Sequence, residues 1–229
     1  MKFIYRFAQG LQLRQVDMIS DGIAGSSRTL SRMAKCLRNV CKNSMDSFIR
    51  DKGQRVGGRT EFTVIDESHF RHKRKYGRGR AGQTWRRKKW VFGILGVRGQ
   101  TRRPVLRLVE HRSRRALLPL VRRHVRQGST IISDEWRAYR GALSDMGYIH
   151  LTVNHSRNFV NSHTGAHTQH LERAWSSYKG HVWRLRGNRT ESILIEHLKL
   201  IEWTYWLGKC HRDGPLGRLL KDIRKLFSV

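Results

Sequence analysis

The stretch Glu61-Phe62-Thr63-Val64-Ile65-Asp66-Glu67-Ser68-His69-Phe70 constrains this chain more than any other. Phe62, Val64 and Ile65 favour a strand, and the run opens just after the turn-prone Val56-Gly57-Gly58-Arg59. A carboxylate, Asp66, then stands where the apolar strand runs out. Directly behind it comes Arg71-His72-Lys73-Arg74-Lys75-Tyr76-Gly77-Arg78-Gly79-Arg80, basic and broken by glycine. An acid set among so many cations calls for a reason. The one expected here is that Asp66 holds a divalent metal while the cations hold nucleic acid.

The surrounding pattern is that of a mixed sheet. Trp90-Val91-Phe92-Gly93-Ile94-Leu95-Gly96-Val97 reads as a buried strand, Arg98-Gly99-Gln100 as a turn, and Pro104–Val109 as the next strand, which makes an antiparallel meander with the first. Ala116, Leu117, Leu120, Val121 and Val125 recur at helical spacing, with Gly128 as the stop. Ser129–Trp136 is a short apolar strand that again meets an acid, Asp134. Asp145-Met146-Gly147 is a turn and Tyr148–Val153 a fifth strand. Helices are expected from about Thr168 through Lys179 and from about Ser192 to Trp206. Before all this, residues 1–55 read as a helical N-terminal segment. Ser26 to Thr29 caps a helix carrying Leu30, Met33, Leu37 and Val40. Arg28, Arg32, Lys35 and Arg38 on it suggest the remnant of a helix-turn-helix. The divisions expected are 1–55, a main α/β domain over 56–210, and a basic C-terminal helix or tail over 211–229.

That order, three strands, a helix, two strands and then helices, is the order of an RNase H-like fold, a mixed sheet flanked by helices. In such a sheet the first and fourth strands lie side by side, so Asp66 and Asp134 come together. A third acid is expected from a neighbouring helix. Glu172 lies beside the apolar stripe Leu171, Ala174, Trp175 and Tyr178, and Lys179 follows it by about two turns on the same face. Three carboxylates in one place repel unless cations separate them. Mg²⁺, or Mn²⁺, takes oxygen ligands and keeps positions open for phosphate and water, and two such ions suit in-line phosphoryl displacement. Lys179 would hold substrate phosphate as a point charge.

Charge points the same way. Lys plus Arg number 47 against 17 Asp plus Glu in 229 residues, a formal net charge of +30 spread along the chain. A polyanion partner follows, bound by phosphate neutralisation and counterion release. Lys73, Arg74, Lys75, Arg78, Arg80, Arg86, Arg87, Lys88 and Lys89 are the expected DNA-backbone track. No apolar run has transmembrane length, so no membrane is expected. The three cysteines, Cys36, Cys41 and Cys210, fit neither a zinc pattern nor a disulfide framework and point to free thiols in an intracellular compartment. That compartment is the nucleus in a eukaryotic host and the cytoplasm in a bacterial one.

Several of these motifs also resemble a known family. Val64-Ile65-Asp66-Glu67-Ser68-His69-Phe70 with Lys73-Arg74-Lys75-Tyr76, then Trp90-Val91-Phe92-Gly93, Ile132 through Tyr139, Val153-Asn154-His155-Ser156, and His167-Thr168-Gln169-His170-Leu171-Glu172 through Lys179 are similar to the blocks of Merlin-type DDE transposases and their bacterial insertion-sequence relatives. The match covers roughly residues 57 to 187. The resemblance implies an RNase H-like catalytic domain and cut-and-paste transposition of double-stranded DNA with Mg²⁺. It also implies an acidic triad of Asp66, Asp134 and Glu172, and a homo-oligomer on DNA. Relatives often carry Asn where this chain has Gln169, so Gln169 is the alternative third position. Bacterial relatives commonly begin with a Cys-rich zinc ribbon, which Cys36 and Cys41 do not make. A decayed or domesticated copy that binds DNA without cutting it is therefore the second hypothesis.

Other residues have two readings. Trp136 and Tyr139 are core under a helix or a stacking surface for an unpaired base. His155 orients water, contacts phosphate or makes a structural hydrogen bond.

Overall fold

The computed structural model describes residues 1–11, 14–70, 89–134, 136–153, 169–184 and 190–227. The chain divides into two compact units: residues 55–175, and a second formed by residues 1–54 with 176–229.

The first of these is a five-stranded mixed sheet in the order β3-β2-β1-β4-β5. Its strands are β1 (Phe62–Ser68), β2 (Trp90–Arg98), β3 (Thr101–Val109), β4 (Thr130–Asp134) and β5 (Ile149–Val153). The meander β1-β2-β3 is antiparallel, closed between β2 and β3 by Gly99 at φ +53°. β4 then runs parallel to β1, and β5 parallel to β4. Every residue of β2 from Val91 to Val97 is buried, as expected of a central strand covered on both faces. This is the expected α/β arrangement, consistent with an RNase H-like fold.

Helix α4 (Arg114–His124) joins β3 to β4 and packs on β2 and β3. Ser113 caps it by accepting from the Ala116 amide. Pro119 lies inside it, and Leu117 and Val121 are its buried face. It ends at His124, earlier than its apolar periodicity suggests, because Val125 turns extended and bridges to Val56. A four-residue helix absent from the sequence reading, α5 (Ala142–Asp145), precedes the expected turn.

The other unit is helical. It contains α1 (Lys2–Ala8), α2 (Gln15–Ser20), the 26-residue α3 (Ser27–Lys52), α7 (Glu191–Trp203), a π-helical turn at Thr204–Gly208, and α8 (Gly214–Phe227). Ser26 caps the 26-residue helix as read from the sequence. That helix runs well past the Leu30-to-Val40 stripe from which it is expected. Its Leu37, Val40, Cys41 and Met45 are buried, and it packs on Glu191–Trp203 and Gly214–Phe227. Arg38, grouped by its sequence with the DNA-facing cations, is buried and paired with Glu196 (3.0 Å). Trp203 Nε1–H donates to Asp222 Oδ2 (2.7 Å), which also accepts from Arg218 Nε (3.0 Å). The helix read as Ser192–Trp206 thus ends at Trp203. There Thr204 Oγ1–H donates to the Leu200 carbonyl, and the backbone widens into the π turn.

The final helix of the sheet unit, α6 (Gln169–Arg184), is longer than Thr168–Lys179 and continues into the helical unit. Its first turn sits on the sheet. The His170 ring lies tilted against that of Phe62 (5.7 Å between ring centroids), and its Nδ1 is 3.3 Å from Arg102 Nη2. Among the described residues no helix is long and apolar enough to cross a membrane.

Candidate active site

Register brings the first two acids together. Thr63 pairs with Ile131 and Val64 with Ile132. Carried two residues further, the same offset sets Asp66 opposite Asp134 on strands ~4.8 Å apart. Both strands are held where they are by apolar side chains: Val64, Ile65, Ile131 and Ile132 are all buried. Parallel pairing matters, because it puts the two C-terminal strand ends, and hence both acids, at the same end of the sheet.

Asp66 is half-buried and firmly held. Trp175 Nε1–H donates to its Oδ2 (2.9 Å), and the Glu67 amide donates to its Oδ1 (2.7 Å). Burial pushes its carboxyl above the usual range. The charge of Asp134 pushes it further, against the opposing pull of the indole, the Glu67 amide and Arg112. Asp134 is half-buried and accepts from the Trp136 amide at Oδ1 (3.2 Å).

Glycine makes the indole contact feasible. Gly93 is the β2 partner of Asp66. A Cβ there would lie 2.5 Å from Trp175 Cζ2 and closer still to Cη2. Only a residue without a side chain lets the ring lie across β2 and reach Asp66. Phe70 packs its edge against the same indole (5.8 Å).

Asp134 has a further support. Ser133 Oγ–H donates to the Asp134 carbonyl (2.8 Å), which spends the hydroxyl's one proton. His150 Nε2, 2.8 Å from the same Oγ, is then the donor in that pair. Burial lowers the His150 pKa and so favours the neutral ring.

The sequence reading missed a second buried carboxylate. Glu67 follows Asp66 and so projects from the opposite face of β1. Tyr139 O–H donates to its Oε1, and Arg112 Nε–H donates to its Oε2 (2.8 Å). The Arg112 guanidinium lies over Trp90 (4.6 Å) and Trp136 (4.3 Å). Burial raises the Glu67 carboxyl despite these two donors, and raises the Tyr139 hydroxyl as well. An acid directly after an apolar strand's terminal acid was the available signal. Without the position of Tyr139 it reads as an ordinary surface residue.

The remaining expectations fall unevenly. Glu172 is exposed on α6, one turn before Trp175. Among the described residues no group of three His, Cys, Asp or Glu side chains comes within range of one metal ion. The structure therefore unites Asp66 with Asp134 and does not draw Glu172 in with them. Gln169 is the first residue of α6, and Lys179 is half-buried further along it. Lys89 pairs with Glu110 (3.2 Å) at the surface. Lys73, Arg74, Lys75, Arg78, Arg80, Arg86, Arg87, Lys88 and His155 lie outside the described residues. Tyr139 is core, with none of its surface exposed, whereas Trp136 is 37% exposed and covered on one face by Arg112.

The residue types at the pair suit a hard cation. Both side chains offer carboxylate oxygens with lone pairs left beyond the N–H bonds they accept, and their charges repel at close range. Asp66 and Asp134 would hold such an ion.

The ISXO2-like transposase domain model matches residues 52–183, more than half of the chain and all of the sheet. A protein of Haemophilus influenzae (strain Rd) described as an uncharacterized transposase-like protein is 28% identical over 89 residues, 39% of this chain and 69% of that one. With its paired strand-end acids inside the matched region, the chain belongs to the ISXO2-like transposase family.

Proposed function

We propose that this chain is a metal-dependent DNA transposase that cuts double-stranded DNA at the ends of a transposable element and joins the freed 3′-hydroxyl to a target. The observation that carries the reading is the placement of Asp66 opposite Asp134 on parallel strands, with Asp66 desolvated and oriented by Trp175. A carboxylate held half-buried beside a like charge is unfavourable without a cation. Mg²⁺ or Mn²⁺, as one ion or two, would lower the pKa of an attacking water or 3′-hydroxyl and neutralise charge on the scissile phosphate. The chain's own contribution is positioning. Trp175 and the Glu67 amide fix the Asp66 carboxylate, and the Trp136 amide and the Ser133–His150 pair fix Asp134. Glu172 is assigned as the third ligand, with Gln169 as its alternative. Reaching the pair requires a change of Glu172 side-chain orientation or of the first turn of α6.

The strong positive charge supplies the hold on DNA, and binding as a homo-oligomer would pair two element ends. One observation favours the second hypothesis, a DNA-binding relative without catalysis: Glu172 stands apart from the two aspartates. The experiment that separates them is Asp134→Asn in a Mg²⁺-dependent cleavage and strand-transfer assay on a terminal-repeat duplex. Cleavage by the wild type, lost in the variant while DNA binding persists, supports the enzyme. DNA binding by the wild type with no cleavage of its own element ends supports the binder.

A further inference from the structure

We propose that Glu67, with Arg112 and Tyr139, is a brace that sets the separation and aim of the Asp66 and Asp134 carboxylates. The proposal rests on reading those two aspartates as metal ligands. Glu67 adjoins Asp66 on β1, Tyr139 lies five residues beyond Asp134, and Arg112 follows β3. The Glu67 side chain is 1% exposed, and both of its oxygens are engaged, one by Tyr139 and one by Arg112.

From there the bonds lead back to Asp134. The Arg112 carbonyl accepts from Trp136 Nε1–H (3.0 Å), its guanidinium lies on the Trp136 ring, and the Trp136 amide donates to Asp134 Oδ1. The β1 end and the segment after β4 are thus tied twice: once directly through Tyr139, once through Arg112 and Trp136. A second acid next to Asp66 also adds a like charge where one is already unfavourable. Stability alone does not account for it, since buried ion pairs are often replaced by apolar residues without loss. A need to hold two oxygens at a metal-ligand spacing, with tolerances of a few tenths of an ångström, does account for it.

The hydroxyl of Tyr139 is the most selective place to cut the brace. Tyr139→Phe keeps the buried ring and removes only the donor to Glu67. The readout is Mn²⁺ binding to the metal-free full-length chain, followed by the electron paramagnetic resonance of free Mn²⁺, which does not depend on turnover. The half-saturating Mn²⁺ concentration should rise about tenfold or more, the usual consequence of removing a group that orients a metal ligand. Arg112→Lys, which keeps the charge but loses the planar stacking on two rings, should do the same and carries the test if Tyr139→Phe does not fold. Val121→Ala, a core truncation on α4 away from the brace, serves as the control for general destabilisation. It should lower the melting temperature and leave the half-saturating concentration unchanged.

Equal Mn²⁺ binding by Tyr139→Phe and wild type would overturn the brace. So would an equal shift in Val121→Ala. A wild type that binds Mn²⁺ no better than Asp134→Asn is a different failure: it removes the metal site itself, and the brace with it.

Discussion

A methyl group at position 93 should unseat the tryptophan that holds Asp66. Gly93→Ala puts a Cβ 2.5 Å from Trp175 Cζ2 and closer to Cη2, where carbon atoms pack best at about 3.5–4.0 Å. The indole must therefore retreat by about 1 Å or more. Its 2.9 Å bond to Asp66 does not survive a shift of that size. Overpacking of this kind costs about 1–3 kcal/mol, and loss of a hydrogen bond to a charged group about 1.5–3 kcal/mol. The two together lower the melting temperature by roughly 5–25 °C in a protein of this size. Thermal unfolding by circular dichroism reads the total. A cycle with Trp175→Leu isolates the mechanism, because the smaller side chain leaves room for the methyl. In that background Gly93→Ala should be at least about 1 kcal/mol less costly. A Gly93→Ala protein that melts with the wild type, or a cost that is equal in both backgrounds, would refute the reasoning.

Two other perturbations follow from the same unit. His150 has a lowered pKa in the folded state, so below about pH 6.5 the unfolded chain takes the proton first. Its contribution is present above that pH and lost as the pH falls through the folded value. Urea midpoints at pH 7.5 and 5.0 should therefore fall more in the wild type than in His150→Gln, and equal falls would contradict the assignment. Glu61, whose side chain is 3% exposed, accepts from Arg103 Nε (2.9 Å), Arg103 Nη2 (2.5 Å) and the Gly57 amide (2.8 Å). Glu61→Ala removes the acceptor of those three hydrogen bonds and should destabilise by about 1.5–3 kcal/mol, which calorimetry would show as a melting temperature lower by roughly 3–12 °C; an unchanged melt would count against it.

The sheet was legible because its strands are apolar runs ended by turn residues, and because each run that met an acid marked a strand end. Asp66 and Asp134 could be paired from element order alone, since parallel placement of the first and fourth strands follows from the fold class. What the chain did not disclose were contacts across faces. Nothing local marks Tyr139 as the partner of Glu67 seventy-two residues away, and Gly93 looks like a weak spot in a strand until Trp175 is seen lying over it. Arg38 illustrates the opposite error. Its neighbours Arg28, Arg32 and Lys35 suggested a DNA-facing surface, but helical periodicity places it on the same side as Leu37 and Cys41, and Glu196 makes its burial tolerable. Element ends drifted for physical reasons as well: Val125 bridges to Val56 instead of extending α4, and Thr204 diverts the helix at Trp203.

The most direct test of the paired aspartates is a crystal soaked in Mn²⁺ and measured for anomalous scattering. A peak between Asp66 and Asp134, at roughly 2.1 Å from an oxygen of each, is the expected result, and Glu172 turned toward it would complete the ligand set. A crystal with no peak at the pair, or with Mn²⁺ bound elsewhere while Asp66 keeps only its bonds to Trp175 and the Glu67 amide, would contradict a metal-dependent reaction at this site.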